Sequence, residues 1–243
     1  MKHILFLFTL LTGMICTGLA NGNKSMLTAE VVAQSGLSLR AGPSMYSVVL
    51  EVIPFAESVT IIEDDRLNAE KIDWVQGAWV KVEFAGVSGY VFDGFLSPLP
   101  TPLKEFELVS DDLNFTYAFE SWMDYRFVKV QTSDTIQKED SFAKIIHYFD
   151  NDQMLFQQDG ADYYMVGGII SDVRIMDVYH LILSMVSDKV SRQYVSNQTV
   201  YVENADQEVY EIKVRIDNQI KIKQLDSGKI EVKLYSPHYG CGL

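Results

Sequence analysis

Two cysteines, Cys16 and Cys241, are all that the 243 residues contain. If the apolar N-terminus that holds Cys16 is removed, one thiol remains, and no intramolecular disulfide can form. Cys241 lies three residues from the end with no histidine after it. That excludes a cysteine nucleophile held as thiolate by a downstream histidine. Histidine is also scarce. Beyond His3 there are His147, His180 and His238, with no H-E-x-x-H and no cysteine pair at zinc spacing, so neither a metal site nor a cofactor is expected. Basic residues are outnumbered, 20 Lys and Arg against 33 Asp and Glu, for a net charge of −13. This balance argues against a nucleic-acid partner or a generic anionic membrane surface, and disfavours capture of an anionic wall polymer by bulk charge. There is no G-x-S-x-G elbow and no phosphate-binding glycine loop.

Only one long apolar run is present, at the very start. Lys2 and His3 precede Ile4 to Ile15, and Gly18-Leu19-Ala20 is a small-residue cleavage site before Asn21. Residues 1–20 therefore read as a secretory signal peptide cleaved after Ala20. The run is short for a bilayer, so no stable transmembrane segment is expected after its removal. Lipidation at Cys16 is the alternative, but it needs a small residue before the cysteine, and Ile15 is bulky. The protein is expected to be exported: periplasmic, secreted or envelope-associated. Residues 21–29 form a polar leader, read as disordered.

Residues 30–98 carry the clearest pattern. Short apolar runs are separated by polar or glycine-containing turns, as in a small all-β barrel. Gly42-Pro43 is a turn, because proline fixes its own φ and biases the residue before it away from helix. Leu37 and Leu39 share one strand face, with Ser38 and Arg40 on the other. From Trp79 to Phe84, Val80, Val82 and Phe84 form the aliphatic face. Trp79, Lys81 and Glu83 lie opposite, so Trp79 is expected on the outer side of the barrel.

Leu37, Leu39, Arg40, Gly42 and Pro43, then Trp79, Lys81 and Val82, then Gly89, Tyr90, Val91, Phe95 and Leu96 resemble the bacterial SH3-like (SH3b) family in content and order. Ser38 stands where that family usually has Asn, and Ala41 where it has Ser or Glu. The resemblance covers about a quarter of the chain. It implies a small barrel that binds a peptide, peptidoglycan or another envelope protein. The candidate groove residues are Trp74, Trp79, Tyr90 and Tyr46. Glu63 to Gly77 reads as a loop longer and more acidic than the family's. Trp74 within it has two readings, a groove wall or a cap folded back on the barrel.

Residues 99–102 lie in a run with prolines at 98, 100 and 102, which favours an extended, semi-rigid linker. Residues 103–237 read as an antiparallel-sheet domain with one main helix, and 238–243 as a tail. Tyr125 to Val130, Ser141 to Phe149, Met154 to Gln158 and Tyr163 to Ile170 are strand-like. Asp159-Gly160 is a hairpin signal. Gly167-Gly168 reads as a strand end. Ser171-Asp172 is expected to cap a helix running to about Ser187, with Ile175, Val178, Tyr179, Ile182, Met185 and Val186 as a wide apolar stripe. Thr199 to Glu203, Val209 to Ile216, Gln219 to Leu225 and Lys229 to Tyr235 alternate as strands, with Lys221 and Lys223 placed to meet Glu231 across a hairpin. The aromatics between Phe115 and Phe127 are expected to be core or interdomain contacts.

The fold class is thus mainly β with an α+β second part. Asp111-Asp112 and Asp150-Asn151-Asp152 are the obvious carboxylate pairs, and in so acidic a chain they read as solvated turns. The function expected is a non-enzymatic exported binding protein. The alternative is a peptidoglycan-acting hydrolase with carboxylate catalysts in the second domain that the sequence does not single out. A third reading is a structural role in which the barrel packs on its neighbour and binds nothing.

Overall fold

The computed structural model describes residues 27–72, 75–102, 108, 114–137, 142–160, 163–216 and 219–237. The expected signal peptide with Cys16 and Ala20, Trp74, Asp111-Asp112, His238 and Cys241 lie outside them. Two antiparallel sheets make up the fold, as expected for a mainly β chain.

The first sheet contains β1 (Leu27–Val31), β2 (Leu37–Arg40), β3 (Val49–Ile53), β4 (Ser58–Ile72), β5 (Val75–Phe84), β6 (Val87–Phe92) and β7 (Leu96–Ser97), in the order β3-β2-β6-β5-β4-β1-β7. Ile53 of one edge strand and Leu96 of the other share a single apolar cluster with Val31, Leu39, Val59, Val80, Val82 and Val91. A flat sheet cannot bring its two edges into one cluster, so this sheet is curled. Burial follows the period-2 alternation: Val80 and Val82 point into that interior, and Trp79 does not.

The described residues of the stretch from Glu63 to Gly77 are strand, not loop. Within it β4 and β5 pair through Leu67–Trp79, Glu70–Gly77 and Ile72–Val75, with the register shifting three times and Asn68 at φ 47°. The bulges hide the alternation that marks a strand. This long hairpin reaches the second sheet, where Lys71 pairs with Glu203 and the Gln76 side chain donates to the Gln207 carbonyl at 2.6 Å.

The second sheet contains β8 (Lys129–Gln137), β9 (Phe142–Phe149), β10 (Met154–Asp159), β11 (Tyr163–Ile170), β12 (Thr199–Glu203), β13 (Val209–Val214), β14 (Ile220–Gln224) and β15 (Ile230–Pro237), ordered β12-β13-β14-β15-β11-β10-β9-β8. Among the described residues three α-helices accompany it: α1 (Phe115–Arg126), α2 (Ile175–Ser184) and α3 (Lys189–Asn197). Phe119 and Trp122 of α1 and Val178 and Ile182 of α2 share one core with Val166, Ile212, Ile222 and Val232 of the strands.

α2 is the helix read from the sequence, and its stripe is buried. Its start differs. The N-cap is Arg174, whose N–H donates to the Asp177 carboxylate at 2.8 Å, while Asp172 lies outside the helix at φ 60°. Tyr125 and Arg126, expected in a strand, close α1 instead, where the Asn114 side chain accepts from the Tyr117 N–H. Gly167 and Gly168 are mid-strand in β11, not at a strand end. Lys223 faces Glu231 as expected, but Lys221 lies opposite Lys233 and pairs with Glu211 at 3.0 Å. The proline-rich connection is tied down: Thr101 donates from N and Oγ1 to the Glu30 carboxylate at 2.7 and 3.0 Å.

Candidate ligand groove

Cross-strand pairing places Arg40 opposite Tyr90, Tyr90 opposite Lys81, and Phe92 opposite Trp79. Directly opposed residues share a face. The outer face of the curled sheet thus carries Arg40, Trp79, Lys81, Tyr90 and Phe92, as the alternation predicts. What the alternation leaves open is what lies over that face. Residues of α2 and α3 face part of it across a cleft, and Trp79 is only 3% exposed and belongs to the core cluster of the second sheet. The expectation of a Trp79 ring presented to open solvent is therefore corrected. Its indole N–H donates to the Glu70 carboxylate at 2.6 Å, and its ring meets Phe92 edge-on at 6.0 Å.

Between this face and the helices a groove of about 850 Å³ remains. Trp79, Phe92 and Phe95 line its base, and Leu183 and Met45 add apolar walls. Arg40 stands on the barrel side, and Lys189, Arg192, Gln193 and Ser196 on the α3 side. The volume falls within the ~300–1,000 Å³ typical of ligand clefts. Of the expected groove residues, Trp79 lies at the base. Tyr90 is half-buried, packs on the second core and does not line the groove. Tyr46, 91% exposed, does not line the groove, although its neighbour Met45 does. Trp74 lies outside the described residues.

Several groove residues were not singled out from the sequence: Phe92, Met45, His180, Leu183, Lys189 and Arg192. A signal existed in α3, where Lys189 and Arg192 are three apart on one helix of an acidic chain. His180 is buried against Phe95, ring centroids 5.8 Å apart. Burial first, then the Arg174 charge, push its imidazole down to about 4, against a hydrogen bond to the Val32 main chain. It is neutral at physiological pH.

A second cavity of about 680 Å³ lies at the other junction of the two sheets, lined by Arg66, Asp93, Asp152, Asp172, Arg174 and Lys229 among others. Its main charges satisfy one another. Arg174 pairs with Asp177 at 2.7 Å and lies 3.7 Å from Asp93, whose other oxygen is 3.2 Å from Arg66. Among the described residues no three His, Cys, Asp or Glu side chains gather as metal ligands, and no helix is long and apolar enough to cross a membrane.

The decisive match lies in the curled sheet. Residues 35–97 match the bacterial SH3 domain family. The match spans about a quarter of the chain and all but β1 of the first sheet. No curated protein and no solved structure matches the chain. A bacterial SH3 domain suggests a cell-wall or peptide-binding module. In this chain the outer face of the SH3 domain forms one wall of the groove, and the helices form the other.

Proposed function

We propose that this chain is an exported, non-enzymatic binding protein that holds a peptide or wall glycopeptide between its SH3 domain and α3. One observation carries the reading: the groove combines apolar walls from the part-exposed Phe95 and Leu183 and the exposed Met45, over the buried Trp79 and Phe92, with charged and amide groups on its rim. Flat apolar area with a few polar groups around it is the usual chemistry of a peptide or sugar cleft. The signal-like N-terminus supports export, and the SH3 match supports an envelope ligand.

Retention on purified wall sacculi tests this. Trp79→Ala is a poor probe because it empties the core, so the groove is blocked from its rim with Gln193→Trp or Met45→Glu. Both positions are exposed. The wild type is expected to be retained and both variants to be released. Equal retention of all three would remove the groove from the account.

A wall hydrolase is the second reading, and Glu120 is the observation in its favour. Burial, then the nearby Asp124, raise its carboxyl above the usual range, and the Gln157 amide donates to it. A raised carboxyl suits a general acid. Glu120 lines neither cavity, however. Zymography on wall material comparing wild type with Glu120→Gln decides it: clearing by the wild type alone supports catalysis, and no clearing removes it.

A further inference from the structure

The charge of the groove is opposite to that of the chain. Arg40, Lys189 and Arg192 line it, and no Asp or Glu does, in a protein of net charge −13. The cations stand on both walls, Arg40 on β2 of the SH3 domain and the other two on α3. None of the three forms an ion pair among the described residues. Two guanidinium groups are held in place by main-chain oxygens. Arg192 donates from Nη1 to the Val186 and Ser187 carbonyls at 2.7 and 2.8 Å, and Arg40 donates from Nη1 to the Ser47 carbonyl at 2.8 Å. The Arg40 Nε–H is buried with no acceptor. Asp188, next to Lys189, accepts from the Ser191 N–H at 2.8 Å as the helix cap, and the Arg192 charge adds only the last of the effects that lower its carboxyl.

Cations fixed by carbonyl oxygens keep their full charge, and guanidinium forks match carboxylate geometry. Separating two such walls by an aromatic base fits a chain with acidic groups on either side of an apolar one. Resting on the groove reading above, we infer that the ligand is an acidic peptide, its carboxylates received by Arg40 on one wall and by Lys189 and Arg192 on the other. Its apolar side chain lies against Phe95, Leu183 and Met45.

The test uses the full chain and three fluorescently labelled probes: a peptide of alternating glutamate and leucine, its glutamine counterpart, and inorganic polyphosphate. Fluorescence anisotropy reads binding. The glutamate peptide is expected to bind about tenfold tighter than the glutamine peptide. Its affinity is expected to fall as salt rises from about 50 to about 300 mM. The double variant Lys189→Gln, Arg192→Gln is expected to bind both peptides alike, with Arg192→Lys restoring part of the preference. Equal affinity of the wild type for the two peptides, with both lost on Gln193→Trp, overturns the acidic ligand and leaves the groove. Sacculi retention with no peptide binding does the same. Polyphosphate binding as tightly as the glutamate peptide overturns it in favour of generic anion capture. An unchanged preference in the double variant also overturns it. If neither peptides nor sacculi bind, the groove falls with it.

Discussion

Arg174, at the start of α2, donates from Nη2 to the main-chain oxygen of Asp93 in the SH3 domain at 2.9 Å. The same nitrogen reaches the Leu96 carbonyl at 2.6 Å and the Asp177 carboxylate at 2.7 Å. One guanidinium thus holds the SH3 domain against the helix that forms part of the groove. Asp93 is 5% exposed and also accepts from the Ala78 N–H at 2.7 Å, so the clamp is built on a buried carboxylate.

Arg174→Met should therefore destabilise the whole chain. It leaves Asp93 and Asp177 buried with less compensation, and removing one partner of a buried pair costs ~3–5 kcal/mol. With the Arg174 side chain 35% exposed, solvent screening brings the expected loss to about 2–3 kcal/mol. Urea unfolding gives the value. A midpoint equal to the wild type would show that the clamp contributes nothing.

Trp79 separates two effects. Trp79→Ala should cost about 3–5 kcal/mol, because it opens a cavity where the two sheets meet. Trp79→Phe keeps an aromatic base but leaves Glu70 without its indole donor, for a loss of about 1–2 kcal/mol. Binding measured on the folded fraction should survive in Trp79→Phe. If Trp79→Ala is as stable as the wild type, the ring is not the core residue described here.

His180 gives the fold a pH dependence of known sign. Its folded value is lowered from 6.5 to about 4. Between those values the unfolded chain binds a proton that the folded chain refuses. The stabilisation is therefore whole above about 6.5, declines as pH falls towards 4, and declines no further below it. The full loss is about 3 kcal/mol. Comparing unfolding of the wild type and His180→Gln at several pH values isolates this from the carboxylates, including Glu120, whose raised value acts in the opposite direction. Parallel pH profiles would contradict the assignment.

Gly167→Ala should be destabilising although alanine suits a strand better. A Cβ there would run into the Phe156 ring and come within 2.7 Å of the Val232 carbonyl oxygen. Overpacking of this kind costs about 1–3 kcal/mol. Thermal unfolding checks it, and an unchanged midpoint would mean the sheet relaxes freely at that point.

The positions that were legible in the sequence are those set by local periodicity. Val80 and Val82 inward and Trp79 outward follow from a period of two, and the buried stripe of α2 from a period of 3.6. The burial of Trp79 did not follow, because the core cluster it joins includes α2 residues such as Val178 and Ile182, about a hundred residues further along, and no local pattern encodes that packing. The arm from Glu63 to Gly77 was hidden by its bulges and its two polar faces. Gly167 and Gly168 read as a strand end because glycine weakens a strand. Their place in mid-sheet is explained by the Phe156 and Phe119 rings that occupy the space a Cβ would need. The groove itself was half legible: its aromatic base lies in the SH3 segment, but its second wall depends on α3.

The most direct measurement is a titration of the isotope-labelled full chain with solubilised wall fragments, followed by the Trp79 indole N–H resonance and the backbone amides. The account predicts saturable shifts at that indole, at Gly36 to Arg40, at Met45 and along Lys189 to Ser196, with the strands β8 to β10 unmoved. Shifts that leave these residues untouched, or that fall on the surface around Glu120, would contradict it.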